Sequence, residues 1–186
     1  MTTALMLIDF QNDYFPGGKW ELEEIYAAAN NAVMLLTAFR EKGFLIVHVR
    51  HEFSNGDAPF FQPDSDGAKT HRLLAPKINE PVVLKHQVNS FQETNLKEIL
   101  DAAQIEKLVI CGAMSHMCID GTTRAARDFG YDCVVAHDAC ATRDLEFDGV
   151  NVAARQVHAA YMEALGFAYA KVVSSQSILL DSGQSA

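Results

Sequence analysis

Three residues able to carry acyl-transfer chemistry stand at comparable places in this chain. Asp9 follows the apolar run at residues 4–8, and Lys85 follows residues 81–84. Cys118 ends the turn Gly112-Ala113-Met114-Ser115-His116-Met117, which follows the apolar run at residues 108–112. After Cys118 the pattern is helical, with Ile119, Thr122, Ala125, Ala126 and Phe129 at three- and four-residue steps. A thiol at a helix start sits near unpaired N–H groups and the positive end of the helix dipole. That placement predicts a lowered thiol pKa and a nearby cradle for an oxyanion. In such a set the thiolate attacks a carbonyl carbon, the carboxylate moves the proton as base and then acid, and the ammonium favours both anions. Water then cleaves the thioester.

The elements that must position these residues follow from apolar patterning. Residues 4–8, 44–49, 81–84, 108–112, 133–136 and 168–173 read as strands, several of them apolar throughout, as in sheets buried on both faces. Helices are expected over 22–42, closed by Gly43, and over 95–103, 119–129 and 150–165. Residues 11–20 read as a Gly- and Pro-containing loop, 51–80 as a long irregular segment and 137–148 as a polar loop. Alternating strands and helices imply an α/β fold, a mainly parallel, doubly wound sheet covered on both faces. Sites in such sheets lie beyond the carboxyl ends of the strands, so Asp9, Lys85 and Cys118 are expected at one edge.

The chain has 186 residues, 49% hydrophobic and 21% charged, and suits one domain over 1–186 with a polar tail at about 181–186. A net charge of −9 without a basic block disfavours nucleic acid and anionic membranes as partners. No export signal or membrane-spanning run is evident, and Cys111, Cys118, Cys133 and Cys140 lack paired metal-ligand spacing. The expectation is a cytoplasmic protein with reduced thiols. There is no P-loop or dinucleotide fingerprint, and no cofactor is called for.

Asp9 in Leu7-Ile8-Asp9-Phe10-Gln11-Asn12-Asp13, Lys85 in Lys85-His86-Gln87-Val88-Asn89-Ser90-Phe91, and the turn from Gly112 to Cys118 resemble the isochorismatase-like cysteine hydrolases. That group includes nicotinamidases and N-carbamoylsarcosine amidases. The resemblance runs through nearly the whole chain. It implies a six-stranded parallel sheet in a three-layer α/β/α sandwich and an Asp9–Lys85–Cys118 triad. It also implies a cis peptide at Ala113–Met114, with the Met114 and Cys118 N–H groups as the oxyanion hole. Dimers or tetramers are implied as well. The Asp-x-His motif that resembles a nicotinamidase metal site is missing from Val47-His48-Val49-Arg50-His51-Glu52. The reading is therefore metal: none, with His48, His51, His71 and His86 as the residues that would have to form such a site. A Cys at position 118 points to amide or imide substrates rather than a vinyl ether.

Phe15, Trp20, His51, Phe53, Phe60, Phe91, His116 and Met117 are candidate pocket residues, with Phe15, Trp20 and Phe91 foremost. Asp120, Thr123 and Arg124 fit structural contacts at the helix start. The sequence reads best as a cysteine amidohydrolase of a small-molecule amide. Its rivals are a catalytically silent binding module on the same scaffold, a metal-assisted nicotinamidase, and a thiol redox protein that lacks any Cys-x-x-Cys.

Overall fold

The computed structural model describes residues 1–54 and 57–183, so the end of the expected tail, 184–186, lies outside the described residues. Six strands form one parallel sheet: β1 (Thr3–Ile8), β2 (Leu45–His51), β3 (Val82–Lys85), β4 (Lys107–Ala113), β5 (Asp132–Ala141) and β8 (Lys171–Val173). Their order is β3-β2-β1-β4-β5-β8, so the winding reverses between β1 and β4. A short antiparallel pair, β6 (Leu145–Phe147) and β7 (Val150–Val152), stands apart.

Strand alternation sorts the core into two layers. Leu5 and Leu7 of β1, Val109 and Cys111 of β4, and Val134 and Ala136 of β5 face one way. They meet α1 (Ile25–Glu41) and α5 (Ser175–Gly183). Ala4, Met6, Ile8, Leu108, Ile110, Cys133 and Val135 face the other way, against α2 (Leu96–Ala102), α3 (Asp120–Asp128) and α4 (Ala154–Ala168). The result is a three-layer α/β/α sandwich. Among the described residues no helix is long and apolar enough to cross a membrane.

The switch between β1 and β4 depends on Gly112. Its φ of +137° belongs to glycine, and a Cβ there would stand 2.0 Å from the Ile8 carbonyl oxygen. This close approach brings the end of β1, and hence Asp9, alongside the turn after β4.

Several element boundaries differ from the sequence reading. The helix expected from 150 begins at Ala154, because 150–152 pair back on 145–147. Asp148 and Gly149, both at positive φ (51° and 75°), form the two-residue turn of that hairpin, and Asp-Gly is a sequence suited to it. The Asp144 carboxylate then accepts from the Ala154 N–H at 2.7 Å and starts α4. β5 runs through the supposed polar loop to Ala141, after a register shift against β4. Asp138 within it accepts from the Ser175 N–H and hydroxyl at 2.7 and 2.8 Å, holding the start of α5. The last helix, α5, runs to Gly183 and so includes the first residues of the expected polar tail.

Candidate active site

Each proposed catalytic side chain leaves the carboxyl end of a strand. Asp9 adopts φ +55°, a left-handed conformation that Asp tolerates better than most residues, and there the extended alternation of β1 ends. Lys85 shares a face of β3 with Val83, and its register partner on β2 is His51, so the two side chains are neighbours. Cys118 lies in a π-helical turn (Ser115–Ile119) that runs into α3, closed by the Ile119 N–H on the Met114 carbonyl at 3.2 Å. Single π turns inserted at a helix start are frequent at functional sites. The Ala113–Met114 peptide bond is cis.

The Lys85 ammonium is the hub. It lies 2.9 Å from Asp9 Oδ2, with both side chains fully buried, and 3.0 Å from Cys118 Sγ. It also donates to His51 Nδ1 at 3.0 Å and to the Gln87 carbonyl at 3.1 Å. One ligand-type atom each of Asp9, His51 and Cys118 lie within 4.8 Å of one another, a spacing that would suit a cation. The cation in their midst is the Lys85 ammonium, so these donors do not fit a metal while Lys85 keeps its place. The four histidines weighed as a metal site do not converge. His48 bonds Glu80, His51 bonds Lys85, His71 stacks on Phe15 with ring centroids 3.7 Å apart, and His86 bonds the Glu52 carbonyl.

The electrostatics correct one expectation. Burial pushes the Cys118 thiol up to about 12, and the neighbouring Asp9 adds to this against the opposing pull of Lys85. The resting sulfur is a thiol, because a side chain only 5% exposed loses more by desolvation than its ammonium neighbour restores. Burial would lower Lys85, but Asp9 and Cys118 together hold it above its ordinary value, so it stays charged. His51 is lowered to about 4 by burial and by Lys85, and is neutral. Cys111, Cys133 and Cys140 are buried free thiols.

Over this hub lies an aromatic layer from the loops after β1 and β2. Trp20 stacks on Phe60 at 4.7 Å, Phe60 meets Phe53 at 5.1 Å, and Phe53 meets His51 at 4.6 Å. Phe15 belongs to the same core layer. His116 hydrogen-bonds Thr142 Oγ1 at 2.6 Å beside the turn that carries Cys118, and Met117 is partly exposed on it. Phe91 is not brought to this layer: its ring packs on Phe129 and Tyr131 in the opposite core. Asp120 and Arg124 pair with each other along α3.

Sequence reasoning missed four residues. Tyr14 is buried, and its phenol is held well above the ordinary value by burial, then by Cys118 and Asp9, so it remains a donor. Gln11, also buried, accepts from the His51 N–H and donates to the His51 and Ala68 carbonyls at 2.7, 2.7 and 2.8 Å. Asp13 accepts from the Phe61 and Lys19 N–H groups, and Gly67 leaves room for its carboxylate. The run Gln11-Asn12-Asp13 thus fixes the loops that carry the aromatic layer. The fourth is Arg143, whose guanidinium lies over the Trp20 ring at 4.2 Å. The available signal was a cluster of amide and acid side chains directly after the first strand.

Comparison with known proteins agrees with this architecture. The isochorismatase domain family model matches residues 3–175. The isochorismatase family protein YddQ of Bacillus subtilis is 45% identical over 179 residues, covering 96% of this chain and 99% of its own. A crystal structure from Oleispira antarctica superposes with a TM-score of 0.94 at 60% identity, covering 96% of both chains. The maleamate amidohydrolase of Pseudomonas putida is a more distant relative, 28% identical over 75% of this chain and 72% of its own. The chain belongs to the isochorismatase family and is a hydrolase of that family.

Proposed function

We propose that the protein is a cysteine amidohydrolase that cleaves the C–N bond of a small amide through a thioester on Cys118. The observation that carries this reading is the contact of one buried ammonium with both Asp9 and Cys118, at 2.9 and 3.0 Å. The amidohydrolase among its relatives supports it.

The resting charges set the order of events. Cys118 starts as a thiol, so attack and proton transfer are coupled: Sγ bonds to the substrate carbonyl carbon as its proton passes to Asp9. The carbonyl π pair moves onto oxygen, and the N–H groups of Met114 and Cys118 receive that oxyanion. Lys85 keeps its charge throughout and offsets the negative charge as it moves from carboxylate to sulfur and oxygen. Asp9 then gives the proton to the leaving nitrogen, the C–N bond breaks, and ammonia or an amine departs. Water attacks the thioester carbon while Asp9 takes its proton. Collapse of this adduct releases the carboxylic acid and returns the proton to the sulfur.

Replacement of the nucleophile tests this. Cys118→Ala should lower ammonia release from an accepted amide at least about a thousandfold, the scale of losing a covalent nucleophile, with the thermal midpoint nearly unchanged. Wild-type enzyme quenched with acid during turnover should carry the acyl mass on the peptide containing Cys118. Retained turnover in the variant would overturn the assignment.

A further inference from the structure

Tyr14 is a buried tyrosine whose hydroxyl the fold does not use. It is 2% exposed, and its ring packs on Phe60 and Phe61 with centroids 5.7 and 4.6 Å apart. A phenylalanine ring would make the same contacts. The hydroxyl makes no hydrogen bond among the described residues. A hydroxyl taken out of water without a partner destabilises the fold, so one kept in such a place calls for a use. The use is suggested by what surrounds it. Phe61 links its ring to that of His51, with centroids 4.6 and 6.3 Å away. Burial first, and then Cys118 and Asp9, hold the phenol well above its ordinary value, so it keeps its proton. Those two side chains act on it more strongly than Asp13, its neighbour in the chain. A carboxylate oxygen of Asp9 and Cys118 Sγ lie within 4.8 Å of each other, and Asp9 Oδ1 is buried without a hydrogen-bond partner. The space next to Cys118 therefore has an uncommitted donor, the Tyr14 O–H, and an uncommitted acceptor, Asp9 Oδ1.

We infer that Tyr14 and Asp9 together hold the water that cleaves the thioester, which makes Tyr14 a catalytic residue of the second half-reaction. The inference rests on the reading of Cys118 as the residue that carries the acyl group. A water between the two accepts from the Tyr14 O–H and donates to Asp9 Oδ1, and one lone pair is left to face the thioester carbon. As that lone pair bonds to carbon, the water proton passes to Asp9 and the carbonyl π pair moves onto oxygen. Collapse breaks the C–S bond, and the sulfur takes the proton back from Asp9. The phenol keeps its own proton throughout and acts by fixing where the attacking oxygen stands. The first half-reaction has no such need, because the attacking sulfur is already fixed to the chain. The hydroxyl should therefore matter to deacylation and little to acylation.

Acetylation by p-nitrophenyl acetate separates the two halves and does not require the natural amide. Nitrophenolate release reports attack by Cys118. The acetyl mass on the peptide containing Cys118, followed by acid quench once the reagent is removed, reports deacylation. In Tyr14→Phe the first equivalent of nitrophenolate should appear within about threefold of the wild-type rate. Its acetyl thioester should last at least about tenfold longer, the weight of one hydrogen bond lost from the transition state. Hydroxylamine, a strong nucleophile that needs no oriented base, should free the acetyl group from both proteins at similar rates, as acetohydroxamate and thiol. The thermal midpoint should hold or rise, since a buried hydroxyl without a partner is gone. Equal thioester lifetimes in the two proteins would overturn the inference, and so would a variant in which attack slows as much as deacylation. Either result, with acetylation still dependent on Cys118, leaves the cysteine reading standing. If Cys118→Ala releases nitrophenolate as fast as wild type, that reading falls and this inference falls with it.

Discussion

Two histidines on β2, three residues apart, hold opposite ends of two buried polar clusters. His48 shares a face with Ile46, toward α1, and its Nε2 meets Glu80 at 2.9 Å. His51 shares the other face with Val49, and its Nδ1 meets Lys85 at 3.0 Å. The partners have opposite charge, and that fixes opposite ring states. A carboxylate only accepts, so the His48 Nε2 must donate, leaving Nδ1 as a bare acceptor. An ammonium only donates, so the His51 Nδ1 must accept, leaving Nε2–H as a bare donor. Unsatisfied buried acceptors are less rare than unsatisfied buried donors.

The carboxylates differ in the same sense. Glu80 accepts from Arg40 twice, from the Lys77 N–H and from His48. Asp9 meets one ammonium and has Oδ1 left without a hydrogen-bond partner. The Glu80 cluster spends its acceptors on holding α1 and the segment before β3 in place. The Asp9 cluster keeps a carboxylate oxygen and an N–H without hydrogen-bond partners, as a site that must still bind and react requires.

The sharpest way to break this contrast is to remove the hub. Lys85→Met should reduce kcat/KM by at least about a thousandfold, since the group that compensates both anions is gone. It should also destabilise the fold by about 3–5 kcal/mol, because Asp9 is left as a lone buried charge. The double variant Asp9→Asn/Lys85→Met should recover most of that stability, as Asn also tolerates the left-handed backbone at position 9, and none of the activity. Urea melts and turnover assays on the same preparations separate the two effects. A single variant that stays stable would mean that the pair is not the structural hub the distances imply.

The comparison also marks what was legible in the sequence. Asp9 and Lys85 stood out because each directly follows an apolar run, and Cys118 because it ends the turn after another; β1 and β4 are buried on both faces, and such runs show as continuous hydrophobic text. The charge state of Cys118 did not show, because dipole and helix start argued for a thiolate while its burial was invisible. Gln11, Asp13 and Tyr14 looked like ordinary loop residues, since their partners lie about 40 to 50 positions away in chain order. Phe91 sits near Lys85 in sequence and shares the core layer of Val83 and Cys118, but its ring packs on Phe129 and Tyr131 and does not join the rings beside His51. The hairpin at 145–152 carried its Asp-Gly signal openly, and the apolar spacing of the following helix masked it.

A smaller effect is expected at the Glu80 cluster. Arg40 first, and then its other donors against opposing burial, hold Glu80 at about 2, below the unfolded value near 4.5. A carboxylate lowered in this way adds stability that is fully present above the unfolded value and is lost as pH falls toward and through 2. Glu80→Gln should therefore cost about 1–2 kcal/mol at pH 7, discounted from the full shift because solvent reaches the Arg40 side, and nothing near pH 2. kcat/KM should stay within about twofold of wild type, the mark of a cluster that only holds structure. Denaturant melts from pH 7 down to 3 check the slope. A large loss of kcat/KM would show that the two clusters are coupled through β2.

The smallest effect concerns the pH profile between 5.5 and 7.5. A free histidine titrates near 6.5, and a site histidine at that value would bend kcat/KM within this window. His51 instead is held at about 4, first by burial and then by Lys85. Because the shift is downward, the folded state keeps His51 neutral, and its Nε2–H remains a donor until pH falls through about 4. The profile should therefore be flat within about twofold from pH 5.5 to 7.5, with any loss assigned to His51 appearing below about 5. Between 6.5 and 4 the unfolded chain binds the proton first, so stability drains from the fold across a range where the site still works. An inflection in kcat/KM near 6.5 that disappears in His51→Gln would show a ring free of its ammonium partner, and the difference drawn here between His48 and His51 would collapse.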